Sequence, residues 1–258
     1  MWTRTVNGRV LHFYLAGINN QNFLMRDKET GTWWQQITGK AIYGPLQGSS
    51  LELVLSDELT FGEWKSEFSD GKVLAPVPKY IKEYDSKWEP EIAKLPVVIS
   101  FPGTELKSRD VVVGLELDGA SRAYLWDTFV KQSPIVDRVH GTPLLAVIGP
   151  DGKSFRIFVS RIDGKDAEFF LKDVSEEKLA QAAATKAAAA PESKPAIASA
   201  SASKPWALLD TATASEWNFQ GCAVSGPSQG KCLDRIPALK DYWFDWRNYH
   251  HDTTIYKH

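Results

Sequence analysis

Histidine, carboxylate, thiol and flat aromatic side chains are where this chain could do chemistry, and few of them fall at telling spacings. His250-His251-Asp252 sets three metal-ligating types side by side. Three adjacent residues rarely converge on one ion without further ligands. An earlier stretch, Phe68-Ser69-Asp70, matches this one, so a plain aromatic serves at the position of His250 and Asp252 fits a helix-end turn. His12 and His140 stand alone and read as surface or hydrogen-bonded histidines. Asp27 and Asp210 occupy matching positions and could approach one another across a pseudo-twofold axis, although spacing alone does not bring them within reach for acid–base work. Trp34 matches Trp217 and Trp64 matches Trp246; core packing explains such pairs more economically than a sugar-stacking platform. Cys222 and Cys232, the two cysteines, flank Gly226-Pro227 almost symmetrically, which predicts that they lie near each other and form a possible disulfide. Two cysteines exclude a disulfide framework. There is no Gly-x-Ser-x-Gly elbow, phosphate-cradling glycine loop, His-Glu-x-x-His or dinucleotide fingerprint.

These residues hang on a stretch that occurs twice. Gly39-Lys40-Ala41-Ile42-Tyr43-Gly44-Pro45-Leu46-Gln47-Gly48 is echoed by Gly221-Cys222-Ala223-Val224-Ser225-Gly226-Pro227-Ser228-Gln229-Gly230. The match continues at a constant offset through Leu51 with Leu233, Trp64 with Trp246 and Asp70 with Asp252, and upstream through Asp27 with Asp210 at an offset one residue larger. It reads as an internal duplication. In each copy Gly-Pro marks a tight reversal, so residues 40 to 43 and 49 to 55 should pair antiparallel. Aromatics near i, i+3 and i+7 in 59–68 and 241–250 predict a short helix buried against the sheet. Each copy opens with a hairpin, turning at Asn7-Gly8 and at Asp163-Gly164.

The expected division is 1–75 as copy one, 76–130 as a connecting segment with a hairpin at Asp118-Gly119, and 131–174 with 206–258 as copy two. Residues 175–205 form an Ala/Ser/Pro-rich insertion. Its first part suits an exposed helix capped by Ser175, and 191–205 carry too little apolar bulk to order themselves. The predicted fold is mainly β: two pseudo-symmetric copies of β-hairpins, each closed by a short aromatic helix, in one compact domain or two lobes.

Length and composition bound the function. The 258 residues are 43% hydrophobic and 24% charged, enough for a full core. A net charge of -2 without like-charge runs leaves no electrostatic footprint for nucleic acid, and no apolar run reaches the roughly 18 to 20 residues of a membrane span. The ten Trp, twelve Phe and eight Tyr favour strands and turns because many sit beside Gly, Pro and Asp.

The run Thr30-Gly31-x-x-Trp34-x-Gln36-x-Thr38-Gly39-x-Ala41-Ile42-x-Gly44-Pro45-Leu46-x-Gly48 follows Ala16-Gly17 and Asn22-Phe23-Leu24-Met25-x-Asp27. With Val112-x-Gly114-x-x-x-Asp118-Gly119 and Trp243-Phe244-x-Trp246-x-x-x-His250-x-Asp252-Thr253, it resembles the bacterial family DUF3179, a domain of unknown function. The resemblance covers nearly the whole chain outside 175–205 and imports little chemistry, because the family has no assigned activity. Members often carry an export signal and a Cys-x-x-Cys stretch before the first hairpin. Together with the strand expected at 143–148 beside the second hairpin, that implies a longer form, extended by one strand and turn and more stable. Asn22 and Gln36 match the family in copy one and lack counterparts in copy two; a structural role should have been duplicated with the fold and a site need not be, although a buried side chain hydrogen-bonding a loop backbone is the more common reason for such residues. The candidate ligand contacts are therefore Asn22, Trp34, Gln36 and His250, with no metal or cofactor identified. The leading expectation is a non-catalytic β scaffold binding a small ligand or protein in the periplasm or outside the cell. The alternatives are a redox or metal-handling protein whose Cys-x-x-Cys lies upstream, and a carbohydrate-binding module.

Overall fold

The structure is a computed structural model in which residues 1–85, 87–99, 105–172 and 206–257 are described. The insertion expected at 175–205, with its helix from Ser175, lies outside them. The described chain is mainly β-stranded with several small helices. It divides into two compact units, one of 1–56, 72–114 and 239–258 and another of 57–71 and 115–238. The stretch expected as copy one is thus shared out: its helical tail goes with the second unit, while the closing helix of the C-terminal stretch goes with the first.

In the first unit the Asn-Gly signal makes the expected hairpin, Thr5–Val6 with Arg9–Val10, and both turn residues have positive φ, 50° at Asn7 and 75° at Gly8. A four-stranded antiparallel meander follows, Phe13–Asn19, Asn22–Asp27, Trp33–Gln35 and Ala41–Tyr43. Directly opposed residues share a face, so its register sorts the side chains. Met25, Trp34 and Ala41 face inward, their row ending in the exposed Leu15 at the sheet edge, and the row Tyr14, Arg26, Trp33 and Tyr43 faces outward. Trp34 and Ala41 join Val6, Leu11 and Leu51 in a buried core, with Phe13 edge-on to Trp34 at 5.7 Å between ring centres. The pairing expected between 40–43 and 49–55 is confined to the reversal itself. Lys40 bridges Ser50 and the Leu51 N–H donates to Gly39 O at 2.9 Å. Further along, the backbone turns to the N-terminal stretch instead, with Thr3 N–H donating to Glu52 O and Val54 N–H to Met1 O, both at 2.8 Å.

The same unit holds the helix Trp243–Tyr249, in which Trp243, Phe244, Asp245 and Trp246 are buried in succession. It has no side-chain N-cap. Its first donors are satisfied by backbone carbonyls instead, Trp243 N–H on Asp110 O at 2.8 Å and Phe244 N–H on Ser108 O at 2.9 Å. Trp246 lies so close to Gly114 that a Cβ there would fall 2.4 Å from the indole, which requires glycine.

The second unit contains two antiparallel sheets. One orders Arg235–Ile236, Phe155–Val159, Thr142–Ile148 and Ile135–Val139; the other orders Phe169–Leu171, Leu208–Asp210, Glu216–Trp217 and Ala223–Ser225. Leu145, Val147, Phe158, Leu208 and Trp217 are central to its core. Asp163 and Gly164 turn a hairpin of Arg161–Ile162 with Lys165–Asp166. Cys222 and Cys232 are bonded across the Gly226 reversal, with Cα atoms 4.0 Å apart. The helix Phe61–Glu67 is capped by Thr60, whose hydroxyl accepts the Glu63 N–H at 3.2 Å.

Candidate functional site

Asn22 opens the second strand of the first unit's meander, and the outer face it shares with Leu24 meets the helix Trp243–Tyr249. Its amide Nδ2 donates to the Asp245 carboxylate, and both residues are 7% exposed. Asp245 is also hydrogen-bonded to Asp241, and two carboxyl groups in that arrangement need a proton between them. Burial pushes the Asp245 carboxyl above its ordinary value; the hydrogen bonds from Asp241 and Asn22 act the other way without cancelling it. One helical turn on, Tyr249 hydrogen-bonds both Asn22 and Gln35. Its hydroxyl is pushed up by burial first and then by the charge of Asp245. Gln35 is held from its other side, its Oε1 accepting the Thr38 hydroxyl at 2.7 Å. The result is a fixed array in which Asn22 and Asp245 are buried while Gln35, Asp241 and Tyr249 are half-buried and form its rim. Chemically, it can store a proton and present both donors and acceptors at defined positions.

The same face continues into the row Tyr14, Arg26, Trp33 and Tyr43. Tyr43 is 69% exposed and Tyr14 42% exposed. Arg26 is pinned by donating its Nε to Gly31 O at 2.9 Å, and its guanidinium carbon lies 5.7 Å from the centre of the Trp33 ring.

The four residues singled out from sequence are placed differently from one another. Asn22 is central to the polar array. Gln36 follows the strand and is exposed; its backbone N–H donates to Phe23 O at 3.2 Å and its carbonyl accepts Trp2 Nε1 at 2.6 Å. The neighbouring Gln35 is the residue that reaches the array, and strand alternation is the signal that could have distinguished the two. Trp34 is fully buried and gives its indole N–H to Asp27 at 2.9 Å, so it presents no surface to a ligand. His250 caps the helix, stacked on Trp246 at 3.6 Å between ring centres, with Nδ1 3.1 Å from the Trp246 carbonyl. His251 Nε2 lies 2.8 Å from Asn248 O. Among the described residues no group of three or more His, Cys, Asp or Glu side chains could hold a metal ion. Asp241, Asp245 and Tyr249 were not singled out beforehand, since nothing local marks them and Asn22 is 223 positions from Asp245.

Asp27 and Asp210 each hold their own turn. Asp27 accepts the Thr30 backbone N–H at 2.6 Å, the Thr30 hydroxyl at 2.8 Å and the Trp34 indole at 2.9 Å. Asp210 accepts Thr213 N–H, the Thr213 hydroxyl at 2.8 Å, Ser215 N–H at 3.1 Å and the Trp217 indole at 2.9 Å. Burial raises both carboxyls, but these hydrogen bonds outweigh it and leave both below the ordinary value.

The second unit carries a buried ion cluster on the helix Phe61–Glu67. Arg156 grips Glu67 with two bonds of 2.6 and 2.7 Å and Asp57 at 2.8 Å, its guanidinium 4.4 Å from the centre of Phe219. Arg235 also pairs with Asp57. Glu63 is pushed up by burial and then by the charges of Glu67 and Asp151, with Arg156 acting against them. Next to this cluster an open pocket of about 460 Å³ is lined by Asp57, Leu59, Phe61, Trp64 and Phe68. Its one charged lining group, Asp57, is already held by Arg156 and Arg235, so the cluster reads as the anchor of the helix.

No helix among the described residues is long and apolar enough to cross a membrane. The model of the family described as "Protein of unknown function (DUF3179)" matches residues 1–253. No curated protein and no solved structure matches the chain.

Proposed function

We propose that this chain, which belongs to the DUF3179 family, is a non-catalytic binding scaffold whose ligand lies on the outer face of the first unit's sheet. The observation that carries this reading is the array of Asn22, Gln35, Asp241, Asp245 and Tyr249, on the same face as the exposed Tyr14 and Tyr43 and the half-buried Trp33. A polar group buried without need is costly. Here two buried groups hold three half-buried ones in place at the rim, as a recognition site requires. The carboxyls are committed to each other and to Asn22, which suits fixed hydrogen bonding to a ligand better than proton transfer to one.

Two further readings accompany it. The Cys222–Cys232 bond favours an oxidising compartment, hence the periplasm or the cell exterior. The recurrence of one hydrogen-bond set at Asp27 and Asp210 favours two copies of an ancestral meander, within 1–75 and within 131–174 with 206–258, joined by 76–130.

The test makes no assumption about the ligand. Full-length protein is screened against a mixed library of metabolites, short peptides and saccharides, and binding is mapped by hydrogen exchange. Protection at Leu24, Arg26, Trp33 and Gln35 is expected. Hits that protect only other segments, or no hit at all, would remove the reading.

A further inference from the structure

The outer face of the first unit's sheet has a shape that narrows its ligand. Trp33 does not stand up from the sheet. An ideal Cβ placed on Gly17 would lie 3.9 Å from Cζ3 of the Trp33 indole and 4.0 Å from Leu24 Cδ1. Gly17 is on the first strand of the meander and Trp33 on the third, so the far end of the indole reaches across the intervening strand, a span of about 10 Å between strand axes. A ring reaching that far sideways lies along the sheet with one face turned outward. Gly17 has no side chain to lift it, and the Arg26 guanidinium lies over one part of the ring, its carbon 5.7 Å from the ring centre. Tyr14 and Tyr43 border this plate at the two ends of the same cross-strand row.

We propose that this face binds a saccharide chain, one sugar ring lying on Trp33 between Tyr14 and Tyr43 while the hydroxyls of a neighbouring ring meet the half-buried rim of Gln35, Asp241 and Tyr249. The proposal rests on the reading of this face as the binding site and names the ligand class. Sugar hydroxyls both donate and accept. They match a rim where carboxyl oxygens accept, amide groups do both and Tyr249 supplies a hydroxyl. The C–H face of a sugar ring is apolar and covers an indole without desolvating a charge. The other occupants fit less well. A phosphate-rich polymer would meet the paired carboxyls of Asp241 and Asp245, on a chain of net charge -2. A lipid surface would demand a broad apolar patch, whereas this row is four side chains wide and one of them is Arg26. A proline-rich peptide would suit the aromatics but would supply few donors for the paired carboxyls.

The experiment applies the full chain to an array of β-glucan, chitin, xylan and peptidoglycan oligosaccharides, with decaproline as a non-saccharide ligand for aromatic surfaces. The strongest saccharide is then titrated against wild type, Trp33→Ala and Tyr43→Ala by calorimetry. At least one saccharide is expected to bind, weakened about tenfold or more in Trp33→Ala, as for an aromatic hot spot, and a few-fold in Tyr43→Ala. Tyr43 is 69% exposed, so its variant keeps the test decisive should Trp33→Ala fail to fold. Absence of saccharide binding, or binding indifferent to both substitutions, overturns the proposal. If decaproline alone binds in a Trp33-dependent manner, the saccharide assignment falls and the face stands as a binding site. If the library screen also leaves this face unprotected, both fall.

Discussion

Replacing Asp27 by alanine removes the acceptor for three donors at once, the Thr30 N–H, the Thr30 hydroxyl and the Trp34 indole N–H. Trp34 is fully buried, so its N–H would be left without water. Hydrogen bonds to a charged group contribute about 1.5–3 kcal/mol each and share one carboxylate, so they do not add in full; an orphaned buried donor costs roughly 1–3 kcal/mol more. The expected loss is about 3–5 kcal/mol, a large part of the roughly 5–15 kcal/mol that holds a domain folded. With a urea slope of about 2–3 kcal/mol per molar, that moves the midpoint of the first unit down by about 1–2 M. Asp210→Ala should do the same to the second unit, because its donors are of the same kinds. Asp27→Asn should fall between, keeping one acceptor for Trp34 while turning an amide N–H toward other donors. The pH dependence has a definite sign. Both carboxyls sit below their ordinary value of 3.8 when folded, so their contribution is complete above that pH and is lost as pH falls through their folded values. Urea midpoints of wild type and variants, at neutral pH and below 3.8, measure all of this. A loss under about 1 kcal/mol in both alanine variants would refute the account of these turns.

Asp245 has the opposite sign. Its carboxyl is raised, so the stabilising effect of its proton is complete below 3.8 and is lost as pH rises through the folded value; Asp245→Asn should therefore gain on wild type as pH rises, read from paired urea curves. Cys222→Ser with Cys232→Ser opens a loop of sequence separation 10 and should cost about 3 kcal/mol on chain-entropy grounds, visible as a lower melting temperature; thiols blocked to alkylation in protein from its native compartment would accord with an oxidising location. Gly114→Ala puts a methyl 2.4 Å from the Trp246 indole and should cost at least about 1–3 kcal/mol, with a changed Trp fluorescence spectrum. Arg156→Met strands Glu67, leaves Asp57 to Arg235 alone and should cost about 3–5 kcal/mol, recovered in part by the double change with Glu67→Leu, which a double-mutant cycle would measure.

Local chemistry was legible in the sequence wherever neighbours along the chain decide the outcome. Asn7-Gly8 and Asp163-Gly164 turn hairpins because each pair can take positive φ. The aromatic run of 241–250 buries Trp243, Phe244 and Trp246 as expected, whereas in the matching run of 59–68 the helix forms but leaves Phe61 and Phe68 exposed. Cys222 and Cys232 meet because the reversal between them sets two chain segments side by side. Resemblance and asymmetry between the repeated stretches drew attention to Asn22.

What surrounds Asn22 was settled only in three dimensions. Whether Gln35 or Gln36 faces it depends on strand parity, and the register shift between Trp33 and Trp34 is invisible in composition. Asp241, Asp245 and Tyr249 are ordinary residues of a strand end and the helix after it until that segment is packed in the unit that holds the first meander. That grouping is a choice among apolar faces of similar character, since the helices 61–67 and 243–249 both carry a buried carboxylate at the matching position, Glu63 and Asp245. Hydrophobic pattern says that each helix must be covered; it cannot say by which strands. The tertiary structure decides it, and with it whether the buried carboxylate lies beside the ion cluster of Arg156, Glu67 and Asp57 or meets Asn22 and Tyr249 in an array of hydrogen-bonding groups.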